Sequence, residues 1–218
     1  MSVTFDPSGD FASIMDGLEA VTLRVPEQPA QSIANAHRGQ VGAEEAEASG
    51  GYLRQSDTVW QFPASEVTGA PPLGSVIEGA AGDRWTILAI NLQVLSSKWE
   101  AACRNMAVEE RLDDTVSLHR ATYTRDANGE AIATWSVLLA AVKARIQPIA
   151  SEANVAMDGD QASQEWRVVL EQSLDADVAA GTVDMRVIDS ADNEYTVVRY
   201  EQSERIDVLP ALICRKVD

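Results

Sequence analysis

The sequence predicts an all-β protein made of two tandem small β-barrel or β-sandwich domains related by internal duplication. Three observations support this prediction. Short segments recur in both halves in the same order, their composition is that of β-strands, and the stretches between them are rich in turn-forming residues. At 218 residues the chain is long enough for two domains of roughly 100 residues each.

The clearest recurrence is that of Asp83–Ile90 in Asn193–Tyr200, at a constant offset of 110 residues. Three other pairs of segments keep the same order. Val76–Glu78 matches Val187–Asp189, with one extra turn residue in the first copy. Ala102–Arg104 matches Ile213–Arg215 after a gap of one residue, and Val21–Arg24 matches Val116–His119. Four matches in one order are hard to obtain by chance, so they indicate duplication.

The recurring segments have the composition of strands. Trp85–Leu88 and Tyr195–Val198 are rich in aromatic and β-branched residues, which fit a pleated, half-buried surface. A turn-type stretch precedes each of them, at residues 79–83 and 190–193. Each copy is therefore predicted to form a β-hairpin.

Further strands are predicted in the second half. Thr122–Trp135 indicates a hairpin with the turn Asp126–Gly129, because Asn-Gly supplies the positive φ angles of a tight turn. Trp166–Leu170 indicates another strand. The leucine and alanine content of Val137–Pro148 allows a helix, but the alternation of Val142–Ile146 and its end at a proline favour a strand.

Two stretches lack a sustained apolar period. We expect Glu27–Gly51 to be a long mobile loop, with a helical turn around Gly42–Ala48, and Ala150–Ser163 to be a similar loop in the second half. A short helix is expected within Ser96–Arg111. The charged run that follows it marks a domain boundary, which gives a first domain of residues 1–108, with the long loop 27–51, and a second of residues 109–218.

Composition restricts the classes of function. The 17 basic and 34 acidic residues leave a net charge of -17, which repels phosphate backbones and disfavours direct binding of nucleic acid. The two cysteines, Cys103 and Cys214, are too few for a disulfide framework and are predicted to be small buried hydrophobes. We expect a soluble protein made in a reducing cytoplasm, because no secretory signal and no apolar run of membrane-spanning length is visible.

No catalytic, cofactor-binding or metal-binding residue is predicted, and the protein is not expected to be an enzyme. His37 and His119 are interpreted as surface or edge residues, because the paired histidines or cysteines of a zinc site are absent. Asp126, Asn128 and Glu130 open like a calcium loop but lack its later ligands and its glycine, so they indicate a solvated turn. The five tryptophans are interpreted as core and interface anchors. They are Trp60, Trp85, Trp99, Trp135 and Trp166.

The order of features in residues 112–217 resembles that of the head–tail joining proteins of long-tailed phages, also called head-closure, stopper or head–tail connector proteins. The pattern is an opening strand, a hairpin with a D-x-x-G turn, a Thr-Trp pair, a strand ending in A-R-I-x-P, a Tyr-containing strand and a last strand. These features correspond to Val116–Arg120, Asp126–Gly129, Thr134–Trp135, Ala144–Pro148, Tyr195–Val198 and Leu212–Arg215. The first half lacks the Asn-Gly hairpin and the Thr-Trp pair and has the 27–51 excursion in their place.

The resemblance implies a small β-barrel that forms a homo-oligomeric ring at the neck of the virion. It also implies a portal or adaptor protein above the ring and tail proteins below it. DNA is expected to pass through the channel without sequence-specific binding, and no membrane partner is expected. The acidic charge is compatible with a channel that does not grip DNA. Two alternatives stay open: another tail component, such as a tail terminator, baseplate or adhesion module, and a nonviral enzyme or ligand-binding protein built on duplicated barrels.

Overall fold

The structure, a computed structural model, describes residues 11–26, 28–93, 97–149, 164–174, 184–202 and 205–217. The contacts within the chain divide it into two compact units, Met1–Glu109 and Glu110–Asp218. The division into domains of residues 1–108 and 109–218 stays a prediction. No helix in the described ranges is long and apolar enough to cross a membrane.

The first unit contains a closed six-stranded antiparallel barrel. Its strands follow one another in the order β1-β2-β3-β6-β5-β4, and pairing of β1 with β4 closes the circle. Three short α-helices and the single 3-10 turn Ala64–Glu66 accompany the described strands of this unit. The elements are α1 Phe11–Ile14, β1 Leu18–Arg24, β2 Gln31–Gln40, α2 Ala43–Ala48, β3 Thr58–Pro63, β4 Val76–Gly79, β5 Arg84–Gln93, β6 Lys98–Arg104 and α3 Met106–Glu109.

The second unit repeats this topology. Its barrel runs β7-β8-β9-β12-β11-β10 and is closed by pairing of β7 with β10, so each strand has a counterpart in the first barrel. The prediction of an all-β protein with two similar barrels is thereby confirmed. The strands are β7 Asp114–Arg125, β8 Ala131–Pro148, β9 Glu165–Leu170, β10 Met185–Asp189, β11 Glu194–Glu201 and β12 Ala211–Lys216.

Each barrel encloses its own apolar core, because alternate residues of each strand point inward. In the first core Trp60 packs edge-on against Trp85, with ring centroids 5.2 Å apart. In the second core Tyr195 packs edge-on against the partly buried Trp166 at 5.8 Å. Trp99 is partly buried against the first core, so four of the five tryptophans contribute to the two cores.

Local details of the barrels also repeat. Each has a β-bulge in its fifth strand, at Leu88 between β5 and β6 and at Val198 between β11 and β12. The turns that lead into these strands have equal lengths. The Gly79 amide donates to the Asp83 carbonyl, and the Asp189 amide donates to the Asn193 carbonyl in the same way. The extra turn residue predicted for the first copy is therefore wrong.

The prediction of a long loop at residues 27–51 is also wrong in its main part. Gln31–Gln40 forms β2, although glutamine, alanine and glycine are weak strand formers, because β1 pairs with it on one side and β3 pairs with its last four residues, His37–Gln40, on the other. It needs only Ile33 and Ala36 in the core. The helical turn expected near its end is confirmed as α2.

The structure confirms three other predicted elements, namely a hairpin, a strand and a short helix. The hairpin at Thr122–Trp135 and the strand at Val142–Ile146 are confirmed by β7 and β8. Within Ser96–Arg111 the expected helix is α3, which follows strand β6. The loop predicted at residues 150–163 lies outside the described residues.

Candidate assembly surface

The β7–β8 hairpin is the main difference between the two barrels. β7 pairs with β10 only as far as Arg120, opposite Met185, and β8 pairs with β9 only from Ala144 onward. Between these points the two strands pair with each other as far as Arg125 and Ala131. We call residues 121–137, which extend past the barrel in this way, the arm.

The described residues of the first barrel show no such extension. Its corresponding hairpin ends within the barrel, since the last residue of β1, Arg24, still pairs with Val76 of β4, and Leu23 pairs with Gln31 at the start of β2. The arm is thus a feature of the second unit.

Beyond its base, where Ala121 is buried and Trp135 is half-buried, the arm is accessible on both faces. Tyr123 and Val137, on one face, are 53% and 58% exposed, and Ile132, on the other face, is 51% exposed. A two-stranded hairpin that buries neither face is marginally stable in water by itself. Exposed apolar side chains on both faces of such a hairpin are typical of a surface that becomes covered on assembly.

Specific contacts nevertheless hold the base and the tip of the arm. At the tip, Asp126 Oδ1 accepts the amides of Asn128 and Glu130, both at 2.8 Å, and Gly129 adopts a φ of +86°. At the base, the Tyr123 hydroxyl donates to Asp184, which raises the pKa of that phenol. The guanidinium of Arg186 lies 4.7 Å from the ring centroid of Trp135.

Two irregularities mark the place where β8 leaves the barrel wall. The register with β7 shifts on both sides of Leu118, and Ala141 adopts a φ of +53°, which alanine rarely does. Bulges bend a strand and increase its twist, so they direct the arm away from the line of the barrel strands.

One edge of β8 has no strand partner in the part of the chain that the structure describes. Among the described residues, no strand pairs with the edge of β8 opposite β7 from Ala131 to Val142. In the first barrel the corresponding part of β2 is covered, because Glu66 Oε2 accepts the amides of Ala34 and Asn35 at 2.6 and 3.2 Å. The uncovered edge belongs to the barrel with the arm.

The two histidines lie in strands. His37 is in β2, where it lines a polar cavity of about 220 Å³ together with residues that include Glu45, Gln61 and Glu100. His119 pairs with Val137 in the interior of β7. Within the described ranges no group of His, Cys, Asp and Glu is arranged to hold a metal ion. The absence of catalytic and cofactor sites stays a prediction.

Both cysteines are buried and unbonded, as predicted. Burial raises the pKa of the Cys214 thiol to about 12 and raises that of Cys103 as well. Neither side chain is therefore poised to form a thiolate near neutral pH.

The hairpin is predictable from the sequence, whereas its extension past the barrel was not predicted. A signal was present: the stretch around Asn128–Gly129 carries strand-type residues for longer than a barrel of this size requires. Most of Ala131–Ala141 is exposed.

The comparisons with known proteins bear on the unit that carries the arm. The phage head completion protein family matches residues 109–217, which is half of the chain and includes every strand of the second barrel. The chain belongs to this family. The predicted resemblance over residues 112–217 is thereby confirmed, and the chain has a structural role in the head–tail region of a phage virion. No curated protein and no solved structure matches it.

Proposed function

We propose that this chain is a head-closure or connector protein at the neck of a tailed bacteriophage. In this role its second barrel forms a homo-oligomeric ring around the DNA channel, with a portal or adaptor protein above and tail proteins below. The observation that carries the proposal is the family match to the second unit, whose boundaries nearly coincide with those of the match.

The charge of the chain supports a channel role. The first unit has 14 acidic and 6 basic residues and the second has 20 and 11, so both units are acidic. A ring of such subunits repels the phosphate backbone from all sides, which allows DNA to slide without being held. The same repulsion acts between subunits, so a ring needs contacts that avoid charged surfaces.

The family's role is structural, and no catalytic step is proposed for this chain. The buried cysteines and the histidines within strands are consistent with a part that acts through its shape.

Deletion of the gene from its phage tests the proposal. We expect DNA-filled heads and free tails that do not join, and we expect the full-length chain supplied from a plasmid to restore infectious particles. Electron microscopy of the restored particles should place the chain between head and tail. Normal particle assembly without the chain would overturn the proposal, and density at the distal end of the tail would favour the alternative of a tail component.

A further inference from the structure

We infer that the free edge of β8, from Ala131 to Val142, pairs with a strand of a second copy of this chain. This inference deepens the proposed function, on which it rests for the expectation of a ring, by assigning the subunit contact to the arm. The contact would be an intermolecular β-sheet that continues the β7–β8 hairpin of each subunit.

The length of the edge is the first argument. Closure of a barrel normally removes free edges, because every strand has two neighbours. Here twelve successive residues of β8 have only β7 beside them within the described residues, a longer free run than on any other described strand. A long unpaired edge is a ready template for another strand.

The second argument is that the edge of β8 lacks the residues that usually prevent pairing with another strand. Proteins that keep an edge free in solution usually place lysine, proline or inward-pointing charges on it. From Ala131 to Val142 there is no charged residue and no proline. The first barrel covers its equivalent edge with the carboxylate of Glu66, as described above.

Charge favours a second copy as the occupant. Two chains that each carry a net charge of -17 repel each other wherever acidic surfaces meet. The uncharged edge of β8 allows two copies to approach without opposing carboxylates. Backbone pairing also makes few demands on side chains, so an identical strand is an acceptable partner.

Lysine substitution on the arm tests the inference with the full-length chain. We expect Ile132→Lys and Val137→Lys, made singly, to weaken self-association measured by native mass spectrometry by about tenfold or more. Each change makes the chain less acidic, so a general electrostatic effect would favour association instead. Leu92→Lys is the matched control, because Leu92 is a similarly exposed strand residue of the first barrel and should leave association unchanged.

Hydrogen exchange supplies the second readout. In the wild-type assembly the amides of residues 131–142 should be protected, and in Ile132→Lys they should exchange at least about tenfold faster because the edge is open. Continued burial of Cys103 and Cys214 against a thiol reagent would show that both barrels of the variant are folded.

Three results would overturn the inference. They are a wild-type chain that stays monomeric at high concentration, arm variants that associate like the wild type, and an assembly in which residues 131–142 exchange as fast as in the monomer. These results decide the subunit contact, whereas the gene deletion decides separately whether the chain is needed to join heads to tails.

Discussion

Two ion pairs occupy the same position in the two barrels but differ in burial. Arg104 of β6 binds Asp57, just before β3, and Arg215 of β12 binds Glu165, at the start of β9. The side chains of the first pair are 9% and 1% exposed, and those of the second are 54% and 38% exposed. The same duplicated pairing is therefore buried in one barrel and lies at the surface of the other.

The difference arises from the segment that connects β2 to β3. In the first barrel Arg104 also donates to the Tyr52 carbonyl at 3.0 Å, and the Tyr52 hydroxyl donates to the Leu88 carbonyl at 2.9 Å. These bonds hold the segment over the barrel wall and bury Leu88, whereas the equivalent Val198 of the second barrel is exposed. The comparison shows that Arg104 and Leu88 are buried in the first barrel, whereas their counterparts Arg215 and Val198 are exposed in the second.

The buried pair gives the largest expected effect. Asp57→Asn should lower the free energy of unfolding of the first unit by about 3–5 kcal/mol, because Arg104 keeps its charge but loses its buried partner. Glu165→Gln should cost the second unit less than about 1 kcal/mol, since that pair is solvated.

Thiol labelling during a denaturant titration measures both units in one chain, because each barrel buries one cysteine. The midpoint for Cys103 should shift in Asp57→Asn while that for Cys214 stays in place. Equal shifts from the two substitutions would show that burial is not what distinguishes the pairs.

A second substitution tests how each core accommodates its aromatic residue. Gly79 in the first barrel corresponds to Asp189 in the second, and a Cβ at Gly79 would lie 3.1 Å from Cζ3 of Trp85. Gly79→Asp should therefore destabilise the first unit by about 1–3 kcal/mol through overpacking.

Adding Trp85→Tyr to Gly79→Asp should recover much of this loss. The double variant recreates the arrangement of the second barrel, where the Tyr195 hydroxyl donates to Asp189 at 3.2 Å. The single variant Trp85→Tyr is the control, and additive effects of the two changes would show that the positions are not coupled.

Alkaline pH should affect the two cores differently. Burial, with smaller contributions from Asp189, raises the pKa of Tyr195 from 10.0 to about 12. Because the pKa is higher in the folded state, the stability that Tyr195 contributes to the second unit is fully present below pH 10 and is lost as the pH rises towards 12. Urea titrations at pH 8 and at pH 11 should show this loss in the wild type, and Tyr195→Phe should lack its contribution.

The smallest effects are expected at the matching turns. Gly82 and Asp192 hold the same position with φ angles of +84° and +61°. Gly82→Ala should cost about 1–2 kcal/mol, because a Cβ disfavours this conformation. Asp192→Gly should change stability by less than about 1 kcal/mol, since relief of strain offsets the added chain entropy. A larger loss for Asp192→Gly in thermal unfolding would show that the Asp192 side chain itself stabilises the turn.

The sequence was informative where the two halves had kept the same local chemistry. The offset of 110 residues between Trp85 and Tyr195 marked the repeated hairpin, and the structure shows the same turn, bulge and neighbouring strands around both. Asn128–Gly129 likewise indicated a turn that is present. Alternating side chains and positive-φ residues are local properties, so they can be detected without knowing the fold.

The sequence was misleading where neighbours decide the conformation. Nothing in Gln31–Gln40 favours a strand, and β2 forms because β1 and β3 offer their edges to it. Conversely, the apolar residues of Ala131–Ala141 suggest burial, yet they are largely exposed because β9 and β10 do not extend beside them. Pairing of distant strands is a property of the closed barrel and is not encoded in a short window.

The sequence by itself therefore determined the fold class, the repeat and the resemblance of residues 112–217 to a phage family. Only the tertiary structure decided which duplicated features are buried and which stay open. Asp57 is enclosed while Glu165 is solvated, and Glu66 covers β2 while an edge of β8 has no partner among the described residues. These differences depend on where the barrel places each strand's neighbours. Burial and free edges exist only once those neighbours are in place.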